Sequence, residues 1–219
     1  MNYDRLETEL ASLPLYGYFF LKTRDLTFTE RVRWICRHEC QMYGKTWACP
    51  PAVGSVEDCR AKCLAYPNYL LICTVTEVDD IADITATLAT RAEHEAVTRR
   101  VEALIRAEGQ EIYTLSTEAC AICESCAYPS GPCRHPEQMH PCIESHGILL
   151  TQTAEECGVP FQYGDNVVTW FSMISFGRPQ VRPRHRPPKN EPGAASDWRR
   201  LPWETILLCS LLGKARHPA

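Results

Sequence analysis

Four cysteines within fourteen residues carry the clearest chemistry in this sequence. Cys120, Cys123 and Cys126 follow an i, i+3, i+6 spacing, and Cys133 comes seven residues later. Thiolate sulfur is a soft ligand that suits zinc, copper(I) and iron–sulfur clusters. A [4Fe-4S] core takes about four thiolates, and C-x2-C-x2-C lets a single loop reach three of its corners. The run therefore predicts a cluster held by these four side chains.

The segment between Cys126 and Cys133 favours a tight loop. Pro129, Gly131 and Pro132 turn the chain there and bring Cys133 back towards the other three cysteines. Structural zinc usually takes two separated C-x2-C pairs, and disulfides require an oxidising compartment. Zinc and unligated thiols stay as alternatives to the cluster.

A second constellation lies earlier in the chain, as Cys36-x3-Cys40-x8-Cys49-Pro-Pro. Three thiolates from Cys36, Cys40 and Cys49 are enough to hold three irons of a cubane. The fourth iron then either stays open as a Lewis acid or takes another ligand. The alternative is a zinc site or a set of small buried thiols. Three nearby side chains are candidates for the fourth ligand: Cys59, Cys63 and His38.

The remaining cysteines and one histidine carry weaker signals. Cys73 alternates within an apolar run and reads as a core residue. Cys142, Cys157 and Cys209 lack ligand-type neighbours and receive no role. His94 falls on a long amphipathic segment, and we expect it near the surface.

The cysteine content of the chain indicates the cellular compartment in which the protein works. Thirteen cysteines is an odd and unusually high number for 219 residues, and Met1–Leu10 lacks the features of a secretory signal. No apolar run approaches the roughly 18–20 residues that cross a bilayer. Abundant cysteine without export predicts metal binding in a reducing cytoplasm, with no membrane span.

Charge and proline content divide the chain in two. Residues 177–219 contain nine Lys or Arg against three acids, a net +6, so the first 176 residues carry −10. An acidic body argues against nucleic-acid binding. We predict a metal-binding domain over 1–176 and a basic, Pro-rich extended tail over 177–219, with a short apolar segment near its end.

Strand and helix patterns alternate before the tail. Four apolar runs predict strands, and several segments show helical spacing, so we expect an α/β or α+β domain with a layered mixed sheet of about four to five strands. A second extended piece is expected over 27–34. Ser55 predicts a helix start, Asp79 or Asp80 another, and Gly109 a helix end. The predicted strands are Tyr16–Leu21, Tyr69–Val78, Glu111–Ser116 and Asn166–Phe176.

These motifs together resemble a known family. C-x3-C-x3-G-K-x-W-x-C-P-P-x-x-G-S-x-E-x-C, C-x2-C-x2-C-x6-C-R-H-P-E and a late T-W-F-S-M-I strand are similar to the domain-of-unknown-function family of predicted cysteine-rich metal-binding proteins, common in anaerobic prokaryotes. The resemblance covers roughly Gly17–Phe176. It implies metal binding and supplies no substrate. The metal ligands that the resemblance implies are Cys36, Cys40, Cys49, Cys120, Cys123, Cys126 and Cys133.

Three functions follow as expectations. The first is an iron–sulfur protein with one or two [4Fe-4S] clusters that exchanges single electrons with a redox partner protein. The second is an iron–sulfur enzyme whose open iron polarises a small substrate. The third is a zinc-stabilised interaction module. The sequence has no G-x-S-x-G, Walker A or G-x-G-x-x-G run, so no motif supports nucleotide or flavin binding.

Overall fold

The computed structural model describes residues 1–161 and 164–179. Within them, six α-helices and four β-strands alternate along the chain. The helices are α1 Tyr3–Ala11, α2 Glu30–His38, α3 Val56–Leu64, α4 Ile84–Ala89, α5 Arg91–Ala107 and α6 Leu150–Glu156. The strands are β1 Gly17–Lys22, β2 Asn68–Glu77, β3 Ile112–Ser116 and β4 Val167–Phe176.

The strands form one sheet in the order β1-β2-β4-β3. The long pair β2 and β4 lies at its centre, in register from Asn68↔Phe176 to Glu77↔Val167. Each pairing is antiparallel, so the sheet is not mixed in strand direction. The predicted α/β or α+β class and the four predicted strands are confirmed, and the antiparallel pairing corresponds to α+β.

One face of the sheet packs against α1 and α5. Side chains alternate between the faces of a strand, so Leu70 and Ile72 of β2 point to the same side. They meet Leu10 of α1 and Val101 of α5 in a fully buried cluster. Burying a side chain of this size contributes about 1.5–3 kcal/mol each. This layer holds α5, which also lines a pocket together with Cys120 and His140.

The other face carries the segments rich in cysteine. Leu71 and Cys73 of β2 and Phe171 of β4 pack there against Cys63 of α3 and Ile143. Ile143 belongs to a segment that extends the sheet beyond β3, because its N–H donates to the carbonyl of Ser116 at 2.9 Å. The core on this face therefore fixes the residues around position 142. Cys73 is buried as predicted.

The expected extended piece over 27–34 is wrong for most of its length. Phe28 bridges to Ile148, but Thr29 ends the extended stretch by capping α2, its hydroxyl accepting from the N–H of Arg31 at 3.2 Å. A hydroxyl at this position satisfies a free helical N–H and starts a helix. Cys36 therefore lies on a helix, not at the end of a strand.

Some of the predicted helix boundaries are confirmed, and one is wrong. Ser55 and Asp58 form the complete capping box of α3, as predicted. Gly109 follows the end of α5 with a φ of +71°, which suits glycine. The predicted start of α4 is wrong. Asp83 caps this helix, and Asp79 and Asp80 do not. Thr90 separates α4 from α5.

The predicted basic tail lies outside the described residues except for residues 177–179, so the division at 176/177 stays a prediction. The apolar segment predicted near the end, and Cys209 within it, also lie outside. In the described part of the chain, the helices are too short or too polar to cross a bilayer.

Candidate metal centre

Four thiols line one cavity. We call Cys120, Cys123, Cys126 and Cys133 the first cysteine group. All four line a single cavity in the loop between β3 and the Glu144–His146 turn. Each thiol is partly exposed, so the group lies at the surface.

A tryptophan from another loop closes this cavity. The indole Nε1 of Trp47 donates to the carbonyl of Gly131 at 3.0 Å. Its ring meets that of Tyr128 edge to face, with 5.0 Å between centroids. Within the loop, the guanidinium of Arg134 donates to the carbonyl of Ser125. These contacts bring the two sides of the loop together around the thiols.

The donor set fits a thiophilic metal group, and the space limits its size. The free volume among the thiols is about 20 Å³, which is room for an ion or a water molecule. In the described residues, no three Cys, His, Asp or Glu side chains converge tightly enough to hold a single ion. The thiols ring the cavity. A cubane core is larger than this free volume.

The pKa of Cys120 shows how charge is distributed at this site. Burial raises it above its ordinary value, while the backbone N–H of Ile122 and the guanidinium of Arg91 lower it. Cys133 and Cys126 lie close enough for their charges to raise it further. The metal-free thiol is therefore protonated at neutral pH, and metal binding must release that proton.

The earlier cysteines also gather, deeper in the protein. We call Cys36, Cys40 and Cys49 the second cysteine group. Cys36 and Cys49 are 4% and 5% exposed, and Cys40 is partly exposed at the turn after α2. Burial raises the pKa of Cys49 to about 12, and the charges of Cys40 and Cys36 add to that rise.

A fourth thiol, which no spacing pattern connects with these three, lies near the second group. Cys142 is 5% exposed. Burial raises its pKa well above the ordinary value, and the charges of Glu144, Cys49 and Cys36 add to that rise. Its Sγ donates to Glu144 Oε2 at 2.8 Å. The carboxyl of Glu144 is itself buried, which raises its pKa.

The three side chains suggested as a fourth ligand lie in other settings. The thiol of Cys59 donates to the carbonyl of Val53 at 3.5 Å and lies 3.6 Å from Nη2 of Arg33. Cys63 packs in the core beneath the sheet. His38 is exposed and stacks on Trp34 at 4.3 Å.

Two contacts join the two cysteine groups. Trp47, which walls the first cavity, is two residues before Cys49. Glu118 lies between the groups, since charges on Glu144 and Cys40 act on it. Burial raises its pKa to about 8. Its φ of +67° is costly for a residue with a side chain, and such strain is common at functional sites.

A buried ion network anchors the chain between the groups. Nδ1 of His140 lies 3.0 Å from Glu95 Oε2, and Nε2 lies 3.2 Å from Glu102 Oε1. Desolvation opposes protonation, but the hydrogen bonds to both carboxylates outweigh it and raise the pKa of His140 to about 9. The imidazolium therefore holds the segment before Cys142 against α5.

A larger pocket adjoins the first cysteine group. Its volume is about 460 Å³, and Cys120 forms part of its wall. Arg91, Arg99 and His140 contribute cationic groups, and Glu95 an acidic one. Nε of Arg91 is buried, and it has no hydrogen-bond partner among the described residues. Volumes of 300–1,000 Å³ are typical of small-molecule sites.

The expectation that His94 lies near the surface is wrong. The residue is 1% exposed, because α5 presses this side onto the sheet. Its Nδ1 lies 2.9 Å from Thr74 Oγ1 and its Nε2 2.8 Å from Ser172 Oγ. Burial lowers its pKa to about 4, so the ring is neutral and structural.

Comparison with protein families matches residues 20–176 to the family described as "Predicted metal-binding protein (DUF2284)". The chain belongs to this family of predicted metal-binding proteins. This confirms the resemblance drawn from the motifs and supports a metal as the cofactor. No significant match to a curated protein or to a solved structure was found.

Proposed function

We propose that this protein is an iron–sulfur protein in which the first cysteine group binds a [4Fe-4S] cluster. It exchanges single electrons with a partner protein. The observation that carries the proposal is the ring of four thiols around one cavity at the surface. Each iron of a cubane takes a different thiolate, so its ligands surround a core and do not converge on one point.

The chain's own residues supply the environment for that chemistry. The bound cluster accepts or gives up one electron at a time, and no bond to the protein is made or broken. Arg91 and Arg134 lie close to the first cysteine group, where cationic charge offsets the negative thiolates. Glu124 and Ser125 are exposed on the same loop, so a partner protein can approach within a short distance of the thiols.

We propose a reducing cytoplasm as the setting. Supporting this, the twelve cysteines in the described part of the chain are free thiols. A protein made in an oxidising compartment would put so many cysteines at risk of forming disulfides.

Metal analysis after anaerobic purification tests the proposal. We expect about four iron and four sulfide per occupied cluster, and a brown colour that bleaches with dithionite. Cys126→Ser should lose the iron of the first group. Cys157→Ser replaces a partly exposed cysteine outside both groups and should keep it. A colourless protein that holds only zinc would refute the redox role and favour the zinc-stabilised module.

The pocket beside Cys120 favours a second candidate function, an iron–sulfur enzyme acting on a small molecule. Benzoate and benzylamine, which differ in charge, can be tested for a change in the EPR signal of the reduced protein. Ala96→Trp fills the pocket from an exposed position on α5, and Glu93→Trp is a control on the same helix outside it. If neither probe changes the EPR signal, the enzyme function is refuted and electron transfer is the function that remains.

A further inference from the structure

The backbone delivers residue 142 to the second cysteine group. The N–H of Cys142 donates to the carbonyl of Ala48 at 3.1 Å, one residue before Cys49. On its other side, the segment pairs with the end of β3, since Ser116 N–H donates to the Pro141 carbonyl at 3.0 Å. Contacts on both sides therefore fix the position of this thiol.

The side chains meet in the same buried space. The charges of Cys36 and Cys49 act on Cys142, and those of Cys36 and Cys40 act on Cys49. The thiol of Cys36 also reaches the backbone carbonyl of Glu144 at 3.9 Å. The end of α2, the loop before Cys49 and the segment at 142 thus converge from three parts of the chain.

We propose that Cys142 is the fourth thiolate of a second metal centre, with Cys36, Cys40 and Cys49. The inference deepens the proposed function and rests on it for the identity of the metal group, but not for the ligand set. Four thiolates are the usual complement of a [4Fe-4S] cluster. Cys142 meets this need from within the group, whereas Cys59 and Cys63 lie in other contacts and His38 on the surface.

This ligand set changes what the second centre can do. With four thiolates it has no open position, so it binds no substrate directly. Because Trp47 links its loop to the first cavity, the second centre acts as an electron relay behind the exposed first one.

Metal content per chain in matched variants tests the ligand set. Cys142→Ser keeps a hydroxyl that can donate to Glu144 in place of the thiol. Cys73→Ser is the control, since Cys73 is also buried and its thiol donates to the Gly17 carbonyl at 3.6 Å. Glu144→Gln removes the neighbouring carboxylate and keeps the thiol. It therefore tests whether Cys142 or Glu144 is the ligand. All are purified anaerobically as full chains and analysed for iron, sulfide and zinc.

We expect about eight iron in the wild type, Cys73→Ser and Glu144→Gln, and about four in Cys142→Ser and in Cys126→Ser. An EPR signal typical of a three-iron cluster in oxidised Cys142→Ser would also support the proposal. Equal metal in Cys142→Ser and Cys73→Ser overturns it. The proposal is also overturned if Cys126→Ser contains no metal at all, because the first group then holds all the metal of the wild type. That result leaves the proposed function intact.

Other results separate the inference from the proposed function. Two zinc per wild-type chain, with one lost in Cys142→Ser, supports the ligand set and refutes the redox role. If Cys142→Ser does not fold, alkylation of the wild type before and after chelator treatment answers the same question. Reactivity at Cys142 should rise with that of Cys36, Cys40 and Cys49 on metal removal. A Cys142 that stays as protected as Cys73 overturns the proposal.

Discussion

His140 offers the sharpest test of how the segment before Cys142 is held in place. Its ring lies between Glu95 at 3.0 Å and Glu102 at 3.2 Å, and it is 8% exposed. Replacing it by leucine keeps an apolar side chain of similar bulk and removes the charge. Both carboxylates then lose their shared cation, although Arg91 stays 3.7 Å from Glu95 and Arg106 stays 3.6 Å from Glu102. Leaving a buried charge without a partner typically costs 3–5 kcal/mol, so we expect a cost at the lower end, about 3 kcal/mol.

The pKa of His140 gives a second, independent magnitude. A rise from 6.5 to about 9 means that the fold prefers the charged ring by about 3 kcal/mol. The folded-state pKa lies above the unfolded-state value. The stabilisation is therefore complete below pH 6.5 and is lost as pH rises through about 9.

Thermal melting of wild type and His140→Leu in the same metal state measures both effects. About 3 kcal/mol corresponds to a melting temperature lower by about 6–12 °C for a chain of this size. We expect that difference at about pH 6, and a clearly smaller one at about pH 9.5, because the wild type has then lost its imidazolium. His38→Gln, at an exposed ring, is the control and should melt like the wild type.

Proton NMR of the ring checks the cause. The reasoning is refuted if His140 titrates near 6.5, as a free histidine does, or if His140→Leu melts with the wild type at low pH. Because His140 anchors the segment before Cys142, we also expect His140→Leu to lose metal to a chelator faster than the control.

Three further predictions follow from single contacts. Trp47→Phe keeps an aromatic ring near Tyr128 but loses the hydrogen bond to Gly131, so metal release from the first cysteine group to a chelator should be about fivefold faster. An unchanged release rate would contradict the closing role of the indole. Ser55→Ala breaks the capping box of α3 and should lower the free energy of unfolding by about 1 kcal/mol, seen as a lower melting temperature. Because burial lowers the pKa of His94 to about 4, stability should fall as pH drops from 6.5 through 4, by up to about 3 kcal/mol; His94→Gln should flatten that part of the melting profile.

The first cysteine group was predictable because its ligands are local. Three of its thiols lie within seven residues, and prolines and a glycine return the chain to the fourth. The central strands were predictable for a related reason. Long apolar runs such as that of β2 have no stable place except inside a sheet covered on both faces. Ser55 and Asp58 likewise specify a helix start by contacts within one turn.

The helix α2 shows where local reading failed. Its residues 30–34 contain a valine and a tryptophan, which suit a strand as well as a helix. The cap at Thr29 and the burial of Val32 and Ile35 decide for the helix. His94 failed for a similar reason: its helix has polar residues on several sides, and only the packing of α5 on the sheet selects the buried one.

The sequence by itself determined that the chain belongs to a family of predicted metal-binding proteins with a compact cysteine loop, and roughly which segments are strands. The tertiary structure decided which thiols lie near one another around the second cysteine group. Cys142 is far from Cys49 along the chain, and no spacing rule connects them. They meet because residues 141–143 pair with the end of β3 on one side and with Ala48 on the other. Such backbone pairing depends on the register of the whole sheet, which no short motif records.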